Sequence, residues 1–429
     1  MPNQFYKFIT RGTLALSLAG LPFFSHAVDF SFSGFGTLGY AYENEDDLAY
    51  RRDITHTTEI DKNGSFTVDS NIGVQLDGAI NRQWSFTTQF LLDQGVSYDL
   101  DELTEFAFIR YSPNASWDFR AGRIGVSAYA AADSRHIDYA HLWVRPPQEL
   151  YGGIVFNSLD GIGATYYSNN EHFNWKATFE YGRNQEMGEV PVTNEEYSTD
   201  LDNVFSASFE VDKDAWKWQL SYAYIGSLTV NHGNQIEALQ SGLNGIASNP
   251  AINAFFPSIG AEALYAYDSF VLEEEQVSYL QAAAIYFDGQ WTFQSELFSI
   301  DAKKDSIPQG SGGYALLGHT FDSFTPYIMY GRFKPSTSRF KLEEDWSVAG
   351  PEVALLQQGA MAGINSVRID QSTYSLGVRW DVSPYIAVKA QVDHVKINPY
   401  GYGLWVSSVE NISKSTDVQM FSLNMNFIF

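Results

Sequence analysis

The stretch that decides the fold is Phe421-Ser-Leu-Asn-Met-Asn-Phe-Ile-Phe429. Apolar Phe421, Leu423 and Met425 alternate with polar residues, and successive side chains of a β-strand point to opposite faces. The pattern therefore predicts a strand with one apolar face and one mostly polar face. At the edge of a soluble sheet such a strand would invite aggregation. In a closed membrane barrel the apolar face meets lipid and no edge remains.

The same alternation recurs along the chain. In segment 173–181 the odd positions are aromatic or apolar and the even positions are polar, so Trp175 is expected to face outward and Thr178 inward. Segment 104–112 alternates poorly, and the direction of Arg110 is left open. The other clear segments are 28–42, 66–77, 84–92, 216–224, 374–381 and 386–395.

The lengths of the links between these segments predict the topology. Seven short links alternate with eight long ones, which gives sixteen antiparallel strands with both termini of the chain on the periplasmic side. This count treats 151–167 as one bulged strand, although 157–161 could instead form a hairpin turn. The short links fall near 78–82, 112–115, 168–172, 212–215, 288–290, 322–324 and 381–385. The long links fall near 43–65, 93–103, 124–150, 182–203, 226–275, 301–313, 334–371 and 396–416.

Composition agrees with a membrane barrel and excludes other classes. Aromatic residues make up 16% of the 429 residues, as expected of a barrel with aromatic girdles at both membrane interfaces. The chain has no cysteine, so disulfides and thiolate metal sites are impossible. A formal net charge of −25 argues against a nucleic-acid partner. No metal site, phosphate loop or nucleophile elbow is recognised, so we expect neither a cofactor nor an enzyme, although a catalytic triad could be assembled in a barrel lumen.

The N-terminal segment 1–27 has the pattern of a cleaved signal peptide. Lys7 and Arg11 provide a positive region, and 13–24 is apolar but too short to span a bilayer as a helix. Small residues at Ser25 and Ala27 match a cleavage site. The mature chain is expected to be a single barrel domain, 28–429. The alternative is a short N-terminal anchor helix.

The mature chain resembles the sixteen-stranded porins of Gram-negative outer membranes. The resemblance rests on the opening strand Phe30-Ser-Phe-Ser-Gly-Phe-Gly-Thr-Leu-Gly39, on the rhythm of strands and loops, and on the terminal Phe429. It implies an all-β transmembrane antiparallel β-barrel in the bacterial outer membrane, with short periplasmic turns and long extracellular loops. It also implies homotrimers, contacts with lipid and lipopolysaccharide, and passive diffusion of ions and small hydrophilic solutes.

The resemblance carries a pore-constricting role to loop 124–150, which follows the fifth strand. Porin constrictions oppose wall arginines to loop carboxylates. Arg120 shares the inward parity of Asp118, whereas Arg123 has the opposite parity at the end of its strand. The constriction candidates are Arg120, Arg123, Asp133, Arg135, Asp138, Arg145 and Glu149. Lumen-facing candidates are Lys176, Glu180, Arg379, Lys389 and Asp393, with Glu180 expected near an outer rim. The segment Leu142-Trp-Val-Arg-Pro-Pro-Gln-Glu-Leu-Tyr-Gly152 is distinctive, but no substrate follows from it.

Because a sixteen-stranded barrel is wide enough to leave an aqueous channel, the polar inner faces are expected to line water. The alternative is a barrel packed internally by salt bridges. Two further functions stay open beside passive diffusion. One is substrate-selective uptake of an anionic or sugar-like solute held by the arginine cluster. The other is a non-transport structural or adhesive barrel that acts through its outer loops.

Overall fold

A computed structural model describes residues 28–56, 64–95, 97–154, 156–190, 195–407 and 412–429. The expected signal peptide, 1–27, lies outside the described residues. Among the helices that the structure describes, none is both long and apolar enough to cross a bilayer.

Sixteen antiparallel strands close into one barrel, in which each strand pairs with its neighbours along the chain and the first strand pairs with the last. This confirms the predicted fold class and strand number. The strands are β1 (Asp29–Glu43), β2 (Asn71–Ala79), β3 (Trp84–Leu92), β4 (Thr104–Asn114), β5 (Trp117–Gly125), β6 (Ser158–Asn169), β7 (Asn174–Val190) and β8 (Glu195–Lys213). They continue with β9 (Trp216–Asn231), β10 (Glu275–Phe287), β11 (Trp291–Ala302), β12 (Gly310–His319), β13 (Phe324–Pro335), β14 (Ile369–Ser383), β15 (Ile386–Tyr402) and β16 (Thr416–Ile428).

The two ends of the barrel differ in the length of their connections. At the turn end, which also holds Phe429, the seven connections have two to four residues each. At the loop end the connections are 44–70, 93–103, 126–157, 191–194, 232–274, 303–309, 336–368 and 403–415. The predicted long link 182–203 is wrong, because residues 184–190 and 195–201 pair with each other and extend the β7–β8 hairpin. The segment Ser158–Asn169 is one strand across Gly161, as expected. The expected start at 151 and the expected bulge are wrong, because the strand begins at Ser158 and pairs in regular register with both neighbours.

The strand faces follow the predicted alternation. In β16 the side chains of Phe421, Leu423 and Met425 are exposed on the outside, whereas Ser422 and Asn424 are fully buried inside. The backbone of Phe429 exchanges two hydrogen bonds with Gly34, N–O distances 2.8 and 2.9 Å, which closes the barrel at the turn end. An apolar exterior on a closed barrel is the arrangement that a lipid bilayer requires.

The lumen is not lined by water throughout, which corrects the expectation for the inner faces. Connection 126–157, here called the inward loop, folds into the barrel. Its Trp143 and Leu150 join a buried apolar cluster with inward side chains of the wall, among them Tyr314, Phe333 and Ile397. The inner faces near the loop end are therefore partly apolar, because a segment of the chain itself covers them.

A helical cap covers part of the loop end. It is formed by α2 (Asn234–Ala247), α3 (Pro250–Phe255), α4 (Pro257–Phe270) and α5 (Pro351–Ser366), which follow α1 (Gln148–Tyr151) in the inward loop. The cap has its own buried cluster, centred on Leu243, Ala263 and Trp346. A separate two-stranded sheet joins Leu48–Tyr50 to Trp405–Ser407 and so ties the first long loop to the last.

Candidate pore and inward loop

The distinctive segment Leu142–Gly152 anchors the inward loop to the wall. Arg145 is buried, and its Nε and Nη2 donate to the carboxylate of Asp69 at 2.9 and 2.6 Å. Its Nη1 lies 3.5 Å from Asp393 of β15, and the guanidinium stacks 4.8 Å from the ring centroid of Tyr50. A buried cation needs such compensation, because removal from water is costly for an unpaired charge. Arg145 therefore fixes the loop to Asp69, just before β2, and to Asp393 of β15.

Glu149 and its neighbour Gln148 also hold the inward loop in place. Both are buried, and Glu149 accepts hydrogen bonds from Gln371 at 2.9 Å and from the hydroxyl of Thr373. Gly331 of β13 makes room for this carboxylate, since a Cβ there would lie 2.3 Å from Glu149 Oε2. Gln148 donates to the carbonyl of Leu404 at 3.0 Å. Glu149 is thus a buried structural acceptor and is not exposed to the lumen.

Asp138 is the third anchor. It is buried, pairs with Arg52 at 2.8 Å and accepts a hydrogen bond from Thr37 at 2.8 Å. The wall cations of β14 and β15 bind the loop backbone rather than a solute. Lys389 donates to the carbonyls of Asp138 and Trp143, and Arg379 donates to those of Tyr139 and His141 at 2.6 and 2.9 Å.

The opposite side of the inward loop contacts β7 and β11. Glu180 accepts hydrogen bonds from the amide and hydroxyl of Ser127 at 2.9 and 2.7 Å. Glu296 of β11 accepts one from Tyr151 at 2.6 Å and one from the amide of Ala130 at 3.0 Å. The loop is thereby held across the full width of the barrel.

Two of the expected positions need correction. Arg123 shares the outward parity of Trp117 and Phe119, and it pairs with Asp160 and Asp101, 2.9 Å each, near the loop end of the wall. It therefore does not face the lumen. Glu180 is not near a rim. It is buried under the inward loop, partway along β7.

The expected opposition of Arg120 to a loop carboxylate is also wrong. Arg120 does point inward, but its Nη2 lies 3.0 Å from Glu180 of the wall. Asp133 is exposed on the inward loop. Arg135 is buried, 3.6 Å from Asp53. Strand parity predicts only the face to which a side chain points, so it could not predict these partners. The loop carboxylates Asp138 and Glu149 bind other residues and are not available to Arg120.

The remaining lumen-facing candidate, Lys176, lies close to the turn end. It is more than a third exposed and pairs with Glu210 of β8 at 3.2 Å. Asp393, by contrast, is buried beside Arg145. Of the five lumen-facing candidates, Lys176 is the most accessible to water and Arg379 is partly buried. All except Lys176 hold the inward loop or Arg120 in place.

No protein-family model matches this chain, and no protein of curated function matches its sequence. Among solved structures it is similar to an anion-selective porin from Comamonas acidovorans, with 11% identity and a TM-score of 0.51 over 94% of this chain and 100% of that one. It is also similar to the outer membrane channel DcaP of Acinetobacter baumannii, with 10% identity and a TM-score of 0.51 over 94% and 97% of the two chains. The chain has a porin fold.

Within this porin fold, one part of the wall is free of polar contacts with the inward loop. Among the described residues, no hydrogen bond or ion pair joins the loop to the inner faces of β3, β4 and β5. Arg110 of β4 points inward here, since its neighbour Ile109 is exposed outside. Arg110 lies directly opposite Arg120 in the β4–β5 register. With the half of β2 nearer the turn end, strands β3–β5 form what is here called the β2–β5 wall. Its polar inner side chains toward the turn end are Gln75, Asp77, Thr87, Gln89, Arg110 and Asp118.

Arg110 is the functional candidate that the sequence did not resolve. Its Nε is buried without a hydrogen-bond partner, and no ion pair to it is found within the described ranges. Arg120 is neutralised by Glu180, whereas Arg110 contributes an uncompensated positive charge to the wall. The irregular alternation around it, Phe106-Ala-Phe-Ile-Arg110, hid its direction, because apolar Phe106 and Phe108 share the inner face with it.

A polar cavity of about 90 Å³ lies on the loop side of this wall, between Asp93, Glu105, Arg135 and His136. His56 lies here, with its Nδ1 2.8 Å from Asp53 and its Nε2 3.3 Å from Asp93. Burial opposes protonation of His56, but the two carboxylates outweigh it and raise its pKa to about 9. No group of three or more His, Cys, Asp or Glu side chains that could hold a metal ion occurs in the described part of the chain.

Proposed function

We propose that this chain forms a non-enzymatic outer-membrane channel through which ions and small hydrophilic solutes diffuse along the β2–β5 wall. The observation that supports it best is the asymmetry of the lumen. The inward loop is fastened to β1, β2, β7, β9, β11 and β14–β16 by buried polar contacts, and among the described residues the polar inner faces of β3–β5 are left without such contacts. Water and solute would pass where polar side chains face the lumen. The loop end would face outward and the turn end the periplasm.

In this proposal the inward loop constricts the channel because it occupies part of the lumen. Its carboxylates are not placed opposite the arginines of the wall. Its anchoring cation, Arg145, is itself paired with Asp69 and Asp393 and so adds little net charge to the lumen. The charges left without an ion pair to set ion preference are Arg110, Asp77 and Asp118 on the wall and the exposed Asp133 on the loop.

Planar-bilayer recording of the purified, heat-modifiable protein tests the proposal. We expect ohmic steps that are small for a sixteen-stranded barrel, because the loop fills much of the lumen. Steps that low concentrations of one solute block would instead favour substrate-selective uptake, which the narrowing by the inward loop also supports. Folded protein without any conductance would refute the channel and favour a structural or adhesive barrel.

We further propose that the barrel assembles as a homotrimer in contact with lipid and lipopolysaccharide. Support comes from a concave apolar groove of about 700 Å³ on the outer face, where the small side chains of Ala121 and Ala164 lie beside exposed Phe179. A neighbouring barrel wall would fill this groove. Because the chain lacks cysteine, Ala121→Cys can be cross-linked selectively in membranes, with the exposed Leu376→Cys of β14 as control. Equal cross-linking of the two would contradict this interface.

A further inference from the structure

A second cavity, of about 200 Å³, lies on the loop side of the inward loop, away from the polar wall. Its lining comes from the inward loop, from β7–β11 and from the connections at the loop end. The apolar side chains that line it include Ile54, Phe156, Ala223, Leu228 and Val277. The cavity is therefore unlike the polar path that the proposed channel uses.

The cavity is closed toward the turn end by a hydrogen-bonded layer. Glu296 accepts hydrogen bonds from Tyr151, Tyr314 and Gln281 at 2.6, 2.7 and 2.9 Å. On β9, Ser221 donates a hydrogen bond to the carbonyl of Ala128 at 2.5 Å. Ser221 is the inward-facing residue next to Ala223 on the side of the turn end. A solute that enters this cavity meets the layer instead of a continuing channel. The cavity thus has the form of a binding pocket.

Two polar atoms at the cavity lack partners among the described residues. Arg51 is only 3% exposed, and while its Nη1 donates to the carbonyl of Glu189 at 3.1 Å, its Nε has no hydrogen-bond partner. The hydroxyl of Tyr279 is likewise buried and unpartnered. Buried polar groups are nearly always satisfied, so two such atoms at one apolar cavity point to a missing hydrogen-bonding group. Arginine can only donate, and the missing group must therefore contain an acceptor.

We propose that this cavity binds a ring-sized, largely apolar molecule that carries one hydrogen-bond acceptor, such as an aryl ketone. The apolar body would lie against β9 and β10, and the acceptor would meet Arg51 or Tyr279. The size is sufficient, because a dry apolar cavity of about 150 Å³ is known to hold benzene. This site goes beyond the proposed diffusion channel and stands even if the β2–β5 wall conducts nothing.

Binding can be measured by fluorine NMR with protein in lipid nanodiscs, using 4-fluoroacetophenone and, as a probe without an acceptor, fluorobenzene. We expect saturable line broadening by 4-fluoroacetophenone and weaker broadening by fluorobenzene. Ala223→Phe, which fills the cavity, should weaken binding at least tenfold. The matched control is Ala282→Phe, which places the same ring on the lipid-facing side of the adjacent strand β10. It should bind within twofold of the parent chain.

Folding of each variant is checked by heat-modifiable migration, and Val277→Phe provides a second cavity-filling change if Ala223→Phe does not fold. Tyr279→Phe or Arg51→Met, whichever removes the donor that the acceptor meets, should abolish the preference for 4-fluoroacetophenone over fluorobenzene. Equal binding by the Ala223→Phe and Ala282→Phe variants, or by empty nanodiscs, would overturn the proposal, because the probes would then only partition into lipid. A preference unchanged in both Tyr279→Phe and Arg51→Met would overturn the acceptor requirement.

Discussion

Neutralising Arg110 should change the ion selectivity of the channel more than neutralising any other arginine of the lumen. Within the described part of the chain Arg110 has no ion pair on the inner wall, whereas Arg120 forms an ion pair with Glu180 at 3.0 Å. A unit charge acts on a passing ion with about 1 kcal/mol at ~4 Å in water, and with about half of that at ~8 Å. Arg110→Gln removes attraction for anions and repulsion for cations together, so the two effects add in the permeability ratio.

The ratio of cation to anion permeability should therefore rise about fivefold to thirtyfold, since each 1.4 kcal/mol is about tenfold. The assay is the reversal potential in a planar bilayer under a salt gradient. High salt should shrink the shift, because the Debye length falls from about 10 Å at 0.1 M to about 3 Å at 1 M. The matched control is the double variant Arg120→Gln, Glu180→Gln, which removes a neutral pair and should move the reversal potential much less. A larger shift in the double variant than in Arg110→Gln would refute the reasoning.

Four further predictions test other parts of the account. Arg145→Met should lower the free energy of unfolding by about 3–5 kcal/mol, because it leaves buried carboxylates unpaired. Larger conductance steps should accompany this loss of stability. A urea midpoint unchanged from the parent chain would contradict the role of Arg145 in holding the inward loop. Phe179→Lys should destabilise the barrel by about 2–4 kcal/mol if it lies near the bilayer midplane, whereas Thr87→Lys on the inner face should cost far less; equal losses would mean that the faces are misassigned. Protonated His56 should add stability that is complete below pH 6.5 and lost as the pH rises through about 9, so that the urea midpoint falls over this range in the parent chain and stays flatter in His56→Gln. Phe429→Ser should reduce insertion of heat-modifiable protein into the outer membrane, because the closing strand loses its terminal aromatic; normal levels would count against that role.

The barrel could be predicted from the sequence because its strands and turns are determined by residues that are close together in the chain. The alternation in segments such as 173–181 and the short turns between them depend only on neighbouring residues, and they give both the strand count and the faces. The uninterrupted β6 across Gly161 also followed, because a hairpin there would have broken the alternation of link lengths. The hairpin extension at 184–201 did not, since its polar, weakly alternating residues are typical of a loop.

Strand parity could not predict which inner-face side chains contact water and which are covered by the inward loop. Parity places Lys389 and Asp393 on the inner face, but it does not say whether water or the inward loop covers them. That depends on contacts between residues far apart in the chain, such as Arg145 with Asp69 and Glu149 with Thr373. The resemblance to porins implied an inward fold for the loop after the fifth strand, and that loop lies inside the barrel; its constricting role stays a prediction. The partners of Arg120 and the direction of Arg110 required the three-dimensional structure.

Accessibility of single cysteines during channel recording tests the central claim most directly, since the parent chain has none. Gln75→Cys places a thiol on the β2–β5 wall, and Ser422→Cys places one on the fully buried inner face that Arg145 covers. We predict that a charged, membrane-impermeant thiol reagent lowers the conductance of Gln75→Cys channels in discrete steps and leaves Ser422→Cys channels unchanged. Rapid modification of Ser422→Cys with a comparable loss of conductance would show that solute passes where the inward loop is anchored, and would contradict the account.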